Sequence, residues 1–227
     1  MGIKNLFNTT YSYLLGRIVE RTSSKVSPGL EVAHINGKYM LNSLNANYSY
    51  GILQRVFEIE FKNLNIQNRN IKEALILGFG AGSVASILLD QYKMSCNITG
   101  IEKDEKVIQL GKKYFNTQRF NNTQVICADA FEFLKVNKKR YDLIIVDVYV
   151  DNIVPAEIES PEFINLLKNA VASEGLLIFN KMICDTETER SSQKLKDTFS
   201  KVFGNFQSHN IHKHHTNLML VYDSTLK

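Results

Sequence analysis

The chain has 227 residues, enough for one main domain with its own core and a small appendage. It is 44% hydrophobic and 22% charged, with three Pro and no Trp, which suits a globular protein rather than a disordered or fibrous one. The net charge of +4 arises from interspersed basic and acidic residues, so no nucleic-acid partner is expected, and no apolar run reaches the roughly 18 residues of a membrane span.

In chain order, Ile3 to Val19 reads as an amphipathic helix, because Leu6, Phe7, Tyr11, Leu14, Leu15, Ile18 and Val19 recur at about one turn. The amino end has no long apolar core and no small-residue cleavage pattern, so the cytoplasm is the expected compartment. Leu30 to Ala33 and Lys38 to Leu44 flank Asn36-Gly37, a hairpin signal, since both turn residues tolerate positive φ. Two strands alone are marginal, so the hairpin is expected to pack on the larger domain or on a second subunit. Tyr48 to Leu64 is expected to be helical, and Asn65 to Asn70 a polar linker. Residues 1–70 therefore form a small amino-terminal module, and residues 71–227 the main domain.

The main domain opens with the stretch that organises the chain. Ala74 to Leu77 is an apolar strand run, followed at once by Gly78, Gly80 and Gly82. From Ala81 the apolar period becomes helical, and Ile98 to Ile101 is a second strand ending at Glu102. Strand, glycine turn, helix, strand and acid together describe a nucleoside site on a doubly wound sheet. Glycine lets a ligand approach the backbone, and the acid can accept both ribose hydroxyls. The alternative is a tight turn with a solvated Glu102.

The pattern then alternates regularly. Asp104 can cap a helix through Phe115, Thr123 to Ala128 is a strand ending at Asp129, and Phe131 to Val136 is a short helix. Tyr141 to Val148 is a strongly apolar strand with Asp147 near its carboxyl end, and Asp151 to Ser160 connects it to a helix opening at Ser160-Pro161. Gly175 to Asn180 is a further strand, Thr186 to Glu189 fits a capping box, and Phe203 to Ile211 with Thr216 to Asp223 form a terminal strand pair. Cys96, Cys127 and Cys184 are scattered and form no CxxC pair, so reduced thiols are expected. His209, His212, His214 and His215 lack accompanying acids or thiolates, and a solvated hairpin rather than a metal site is expected there.

From about Leu30 to the carboxyl end the chain resembles the spermidine synthase-like branch of the class I S-adenosylmethionine-dependent methyltransferase fold. The matching stretches are the NGK hairpin, NYSYG at 47–51, ILGFGAG at 76–82, Ile101-Glu102, ADA at 128–130 and YDLIIVD at 141–147. The resemblance implies an α/β fold: a doubly wound, seven-stranded Rossmann-like sheet after a small helix and β-hairpin module, usually in a homodimer. It implies a small-molecule substrate and a cofactor that is S-adenosylmethionine or a relative, either its decarboxylated form or methylthioadenosine, without a metal. By the same resemblance Gly78, Phe79, Gly80 and Gly82 surround the nucleoside, Glu102 binds ribose, and Asp129 with the Ala130 backbone recognises adenine.

The acceptor half departs from the family pattern. Ala81 stands where polyamine synthases carry the acid of GGGDGG, and Gly51-Ile52 replace a polar pair beside Tyr50. Asp147 is followed by Val148, Tyr149, Val150 and Asp151 instead of a serine-rich turn with an earlier second aspartate. These departures argue against ordinary spermidine synthesis and leave the sulfonium ligand in place. Asp147, Tyr149 and Asp151 are the candidates to orient or deprotonate the acceptor, with Asp151 and Tyr50 lining its pocket. A transferase of alkyl, aminopropyl or methyl groups is the expected activity; the alternative is a non-catalytic dimeric nucleoside-binding sensor or scaffold of the same fold.

Overall fold

The computed structural model describes residues 16–44, 46–151, 153–213 and 215–226. The first described unit is an antiparallel four-stranded sheet in the order β1 (Arg17–Thr22), β2 (Leu30–Ile35), β3 (Lys38–Asn42), β4 (Asn47–Ser49). Asn36 and Gly37 take φ of 50° and 74°, so Ile35 pairs directly with Lys38 across the expected tight turn. Most of the helix expected over Ile3 to Val19 lies outside the described residues. Its last part is a correction: Arg17 and Ile18 pair with His34 and Ala33 as β1. The open edge of β2 supplies main-chain partners there, which outweighs the local helical period of the side chains.

A second correction concerns Tyr48 to Leu64. Asn47–Ser49 pairs with β3, and the helix, α1, begins only at Ile52 and ends at Asn63. Tyr50 and Gly51 both have φ of 66°, outside the helical region, and the Asn47 side chain reaches past them to accept from the Leu53 N–H at 3.2 Å. Val56, Phe57 and Phe61 of α1 are fully buried, each contributing roughly 1.5–3 kcal/mol of apolar burial.

The second sheet has seven strands in the order β10 (Gln207–His212), β11 (Thr216–Asp223), β9 (Val171–Ile183), β8 (Tyr141–Val146), β5 (Glu73–Leu77), β6 (Asn97–Glu102), β7 (Thr123–Cys127). Strands β5 to β9 run parallel, and β11 and β10 are antiparallel additions at one edge. Alternation along the central strands divides the core. Ala74 and Ile76 of β5 with Leu143 and Ile145 of β8 pack towards α1 and α2, the latter being Ser83–Ser86 prolonged by a wider turn through Gln91. Leu75, Leu77, Ile144 and Val146 pack on the opposite layer, made by α4 (Ala130–Val136), α5 (Pro161–Ala170) and α6 (Thr186–Phe203). Helix α3 (Glu105–Phe115) follows β6 and is capped by Asp104, whose side chain accepts from the Lys106 N–H. The capping box of α6 sits one residue upstream of its expected place: Asp185 caps, in exchange with Thr188, and the helix persists to Phe203 before β10 begins.

Strand order reverses between β5 and β8, because β6 and β7 extend the sheet one way and β8 returns to the other side of β5. A crevice opens beyond the carboxyl ends of the strands at such a reversal. Among the described residues no helix is long and apolar enough to cross a membrane.

Candidate functional site

A cleft with about 840 Å³ of open space lies at this reversal, walled by the carboxyl ends of β5 to β9 and covered by the four-stranded sheet. Its floor is the glycine turn after β5. Gly78 has φ 85°, and a Cβ there would lie 2.1 Å from the Asp147 carbonyl oxygen, so no side chain fits. The N–H groups of Gly78 and Phe79 both donate to the Ile101 carbonyl at 2.9 Å, while Gly80 donates to Glu102 Oε2 at 2.9 Å. Gly80 also lines the cleft. Phe79 and Gly82 do not: the Phe79 ring packs over Gly100 behind the turn, and Gly82 leads into α2 with its N–H on the Phe79 carbonyl. Ala81 is fully buried, its N–H bound by Ser49 Oγ at 3.1 Å, so β4 of the small sheet closes the turn at that point.

Glu102 ends β6 almost completely buried. Oε1 accepts from the Asp104 N–H at 2.9 Å and Oε2 from Gly80, which leaves further lone pairs facing the cleft. Burial pushes its carboxyl up to about 7 against the pull of those two N–H donors. Asp129 lies two residues beyond β7 and caps α4, with Oδ1 accepting from Phe131 and Glu132. Its Oδ2 lies 3.0 Å from Lys103 Nζ. Burial raises the Asp129 carboxyl, but Lys103 and the α4 amides outweigh it and hold the group below its usual range. Ala130 lines the cleft beside it.

Asp147 follows β8 and is nine-tenths buried. Burial raises its carboxyl to about 7; Asn180 Nδ2, donating to Oδ1 at 2.8 Å, opposes that rise, and the charge of Glu102 adds to it. Tyr149 lines the cleft with its ring, but its hydroxyl donates to the Asn180 carbonyl at 3.0 Å and accepts from the Met182 N–H at 2.7 Å. Burial drives that phenol well above its usual value, so its proton stays on the β9 backbone contact. Asp151 also lines the cleft, at the bend where Val150 and Ile153 bond to each other, with φ 58° and Oδ1 accepting from Ser43 Oγ at 2.6 Å.

Tyr50 is placed elsewhere. Its ring stacks on Phe115 at 4.8 Å, in a separate groove between the small sheet and α3, and burial raises its hydroxyl. The tyrosine that the small sheet brings to the cleft is Tyr48, whose hydroxyl donates to the Tyr149 carbonyl at 2.8 Å. Lys103, Asn180 and Asn217 line the cleft as well and were not singled out from the sequence. The signal for the two asparagines was present: Asn180 closes an apolar strand run much as Asp147 does, and Asn217 opens one that runs antiparallel. Among the described residues no three His, Cys, Asp or Glu side chains gather in a metal-binding group; His214 lies outside them.

The family model described as "Spermine/spermidine synthase domain" matches residues 62–213, more than half of the chain. A probable polyamine aminopropyl transferase of Bifidobacterium longum is 33% identical over 136 residues, covering 60% of this chain and 30% of that protein. A polyamine aminopropyltransferase of Vibrio vulnificus is 31% identical over 151 residues, covering 63% and 48%. The chain thus spans less than half the length of either relative. Among solved structures, a spermidine synthase in complex with the transition-state analogue AdoDATO superposes with a TM-score of 0.71 at 15% identity, over 93% of this chain and 75% of that one. The spermidine synthase of Thermotoga maritima gives 0.69 at 14% identity, over 93% and 74%. These two carry the fold: the small sheet followed by the seven-stranded Rossmann-like sheet.

Proposed function

Because the chain belongs to the spermine/spermidine synthase domain family, we propose that its cleft binds an S-adenosylmethionine-type nucleoside and transfers an alkyl group from it to an amine. The observation that carries this reading is the row of carboxylates at the ends of β6, β7 and β8 around a floor that admits no Cβ at Gly78. Glu102 would accept from the ribose diol. Asp129, with the Ala130 N–H, would read the adenine edge. When bound, the donor supplies a carbon activated by sulfonium, which departs as neutral thioether.

The chain's own residues do the rest. Asp147, Asp151 and Glu157 also line the cleft, and Lys103, paired with Asp129, is the only cationic side chain among the described lining residues. Such a lining favours a cationic or hydrogen-bond-donating acceptor. Asp147 would take the proton from the attacking nitrogen as its lone pair forms the new C–N bond and the C–S pair leaves with sulfur. Tyr149 fixes the loop against β9, and Tyr48 closes it from above. Burial beneath the small sheet excludes water, so positioning supplies much of the rate. The acid missing at Ala81 removes a partner for an aminopropyl amine on the donor. The small sheet and the loop after β3 expose Ile18, Ile35 and Leu44, which we take as a homodimer contact; light scattering at micromolar concentration should give twice the chain mass, and a monomer would reject it.

Calorimetry with S-adenosylmethionine, its decarboxylated form and methylthioadenosine tests the site, followed by mass-spectrometric assay across di- and polyamines. Binding with turnover supports the transferase. Binding without any turnover supports a nucleoside sensor, and no binding at all removes the site.

A further inference from the structure

Asp147 Oδ1 is held by Asn180, and Asn180 is held in turn. Its Oδ1 accepts from Asn217 Nδ2 at 2.9 Å, while its own Nδ2 donates to Asp147 at 2.8 Å. The three residues lie just after β8, in β9 and in β11, which are neighbouring strands of the sheet, and all three are at least nine-tenths buried and line the cleft. A primary amide has one accepting and one donating end, so fixing either end fixes the other. If Asn180 turned over, its carbonyl oxygen would face the Asp147 carboxylate, and a low-dielectric site makes that contact costly. Asn217 donates to Asn180 in the arrangement in which Asn180 donates to Asp147.

We propose that Asn217 is a positioning residue that acts through Asn180 to keep Asp147 an ionisable hydrogen-bond acceptor aimed at the cleft. This rests on the reading of Asp147 as the proton acceptor, but its structural content stands without turnover. Other groups face Asp147 as well. Glu102 comes from β6, Tyr48 from the small sheet and Tyr149 from its own loop, with Asp151 and Glu157 across the cleft. None of them donates to Oδ1 in place of Asn180. The relay is therefore the neutral contribution that offsets burial and the Glu102 charge.

The test is a carbon-13 titration of aspartate carboxyls in the whole chain, with the Asp147 resonance assigned by its loss in Asp147→Asn. In the unsubstituted protein Asp147 should titrate near neutrality. Asn217→Leu should raise its midpoint by about one pH unit, a tenfold change in the proton equilibrium. Asn180→Leu should raise it by at least as much, and Asn217→Gln should restore part of the shift. If Asn217→Leu does not fold, Asn217→Ala serves, since its smaller side chain cannot clash. A folded Asn217→Leu or Asn217→Ala variant that leaves the Asp147 midpoint unmoved overturns the proposal, whatever happens to its melting temperature. If the midpoint moves as expected while no amine is ever alkylated, the relay stands and the transferase reading fails.

Discussion

On the proposed reading Glu102 serves binding and Asp151 chemistry, and both line the same cleft. Glu102→Ala removes the acceptors for the ribose diol and also releases the Gly80 and Asp104 N–H groups. A charged hydrogen-bonding site of this kind should cost about 1.5–3 kcal/mol, or one to two decades of affinity for every adenosine-containing ligand. Calorimetry with methylthioadenosine decides it, and an unchanged dissociation constant would take Glu102 out of the nucleoside site. Asp151→Asn keeps the size of the side chain and its capacity to accept from Ser43. Nucleoside affinity should stay within about threefold while turnover on a confirmed acceptor falls by roughly 10²-fold, the scale of a positioned proton-transfer or cation-binding group. Equal turnover in the folded variant would reduce Asp151 to a turn residue, for which its φ of 58° suits aspartate or asparagine. At this scale the sequence told types and places well where a residue ends a strand. Glu102 ends β6, and Asp129 and Asp147 stand two and one residues beyond β7 and β8. It told little about Tyr50, because the positive φ at Tyr50 turns that ring out to Phe115, and backbone sign is invisible in a side-chain pattern.

The elements are joined by a few side chains that do two jobs, and Asp104 is the clearest. Its Oδ1 caps α3 through Lys106, its Oδ2 accepts from Ser24 at 2.5 Å, and its own N–H holds Glu102. Ser24 in turn accepts from Val26 and Ser27, and Val26 lines the cleft. Asp104→Ala should therefore cost more than the roughly 1 kcal/mol of a lost cap, because the half-buried Ser24 hydroxyl also loses its acceptor. We expect about 2–3 kcal/mol by urea denaturation, with nucleoside affinity weakened as well through the loosened loop. A loss confined to about 1 kcal/mol with full affinity would show that the cap is the whole of its role. Asp104 as a cap was legible from its place before a helical run. Its bond to Ser24 was not, since the two lie on different units far apart in the chain. The same limit explains β1 and β4: each is a short strand whose pairing partner, not its own period, decides its conformation.

For the molecule as a whole, two buried carboxyls raised to about 7 set opposite pH trends for folding and for ligand binding. Glu102 and Asp147 hold their protons in the folded chain at pH values where the unfolded chain, with midpoints near 4.5 and 3.8, has lost them. Between those limits the native state binds more protons than the unfolded state, so stability is fully present below the unfolded values and is lost as pH rises through about 7. The slope cannot exceed about 1.4 kcal/mol per pH unit for each group. Asp129 and Asp223 work the other way: Lys103 and Arg69 help hold them low, so their contribution is lost only as pH falls through their depressed folded values. Melting temperature should accordingly climb from pH 8 to about pH 5.5 before the acid limb begins. Methylthioadenosine affinity should fall over the same interval, by up to tenfold per pH unit below 7, because a protonated Glu102 accepts less well from the ribose diol. Asp147→Asn should remove about half of the melting trend, since Glu102 keeps its own share, and leave the binding trend. A melting temperature that rises with pH between 5.5 and 8 would mean that neither carboxyl is protonated in the folded protein, and the cleft would then be more open to water than its burial indicates.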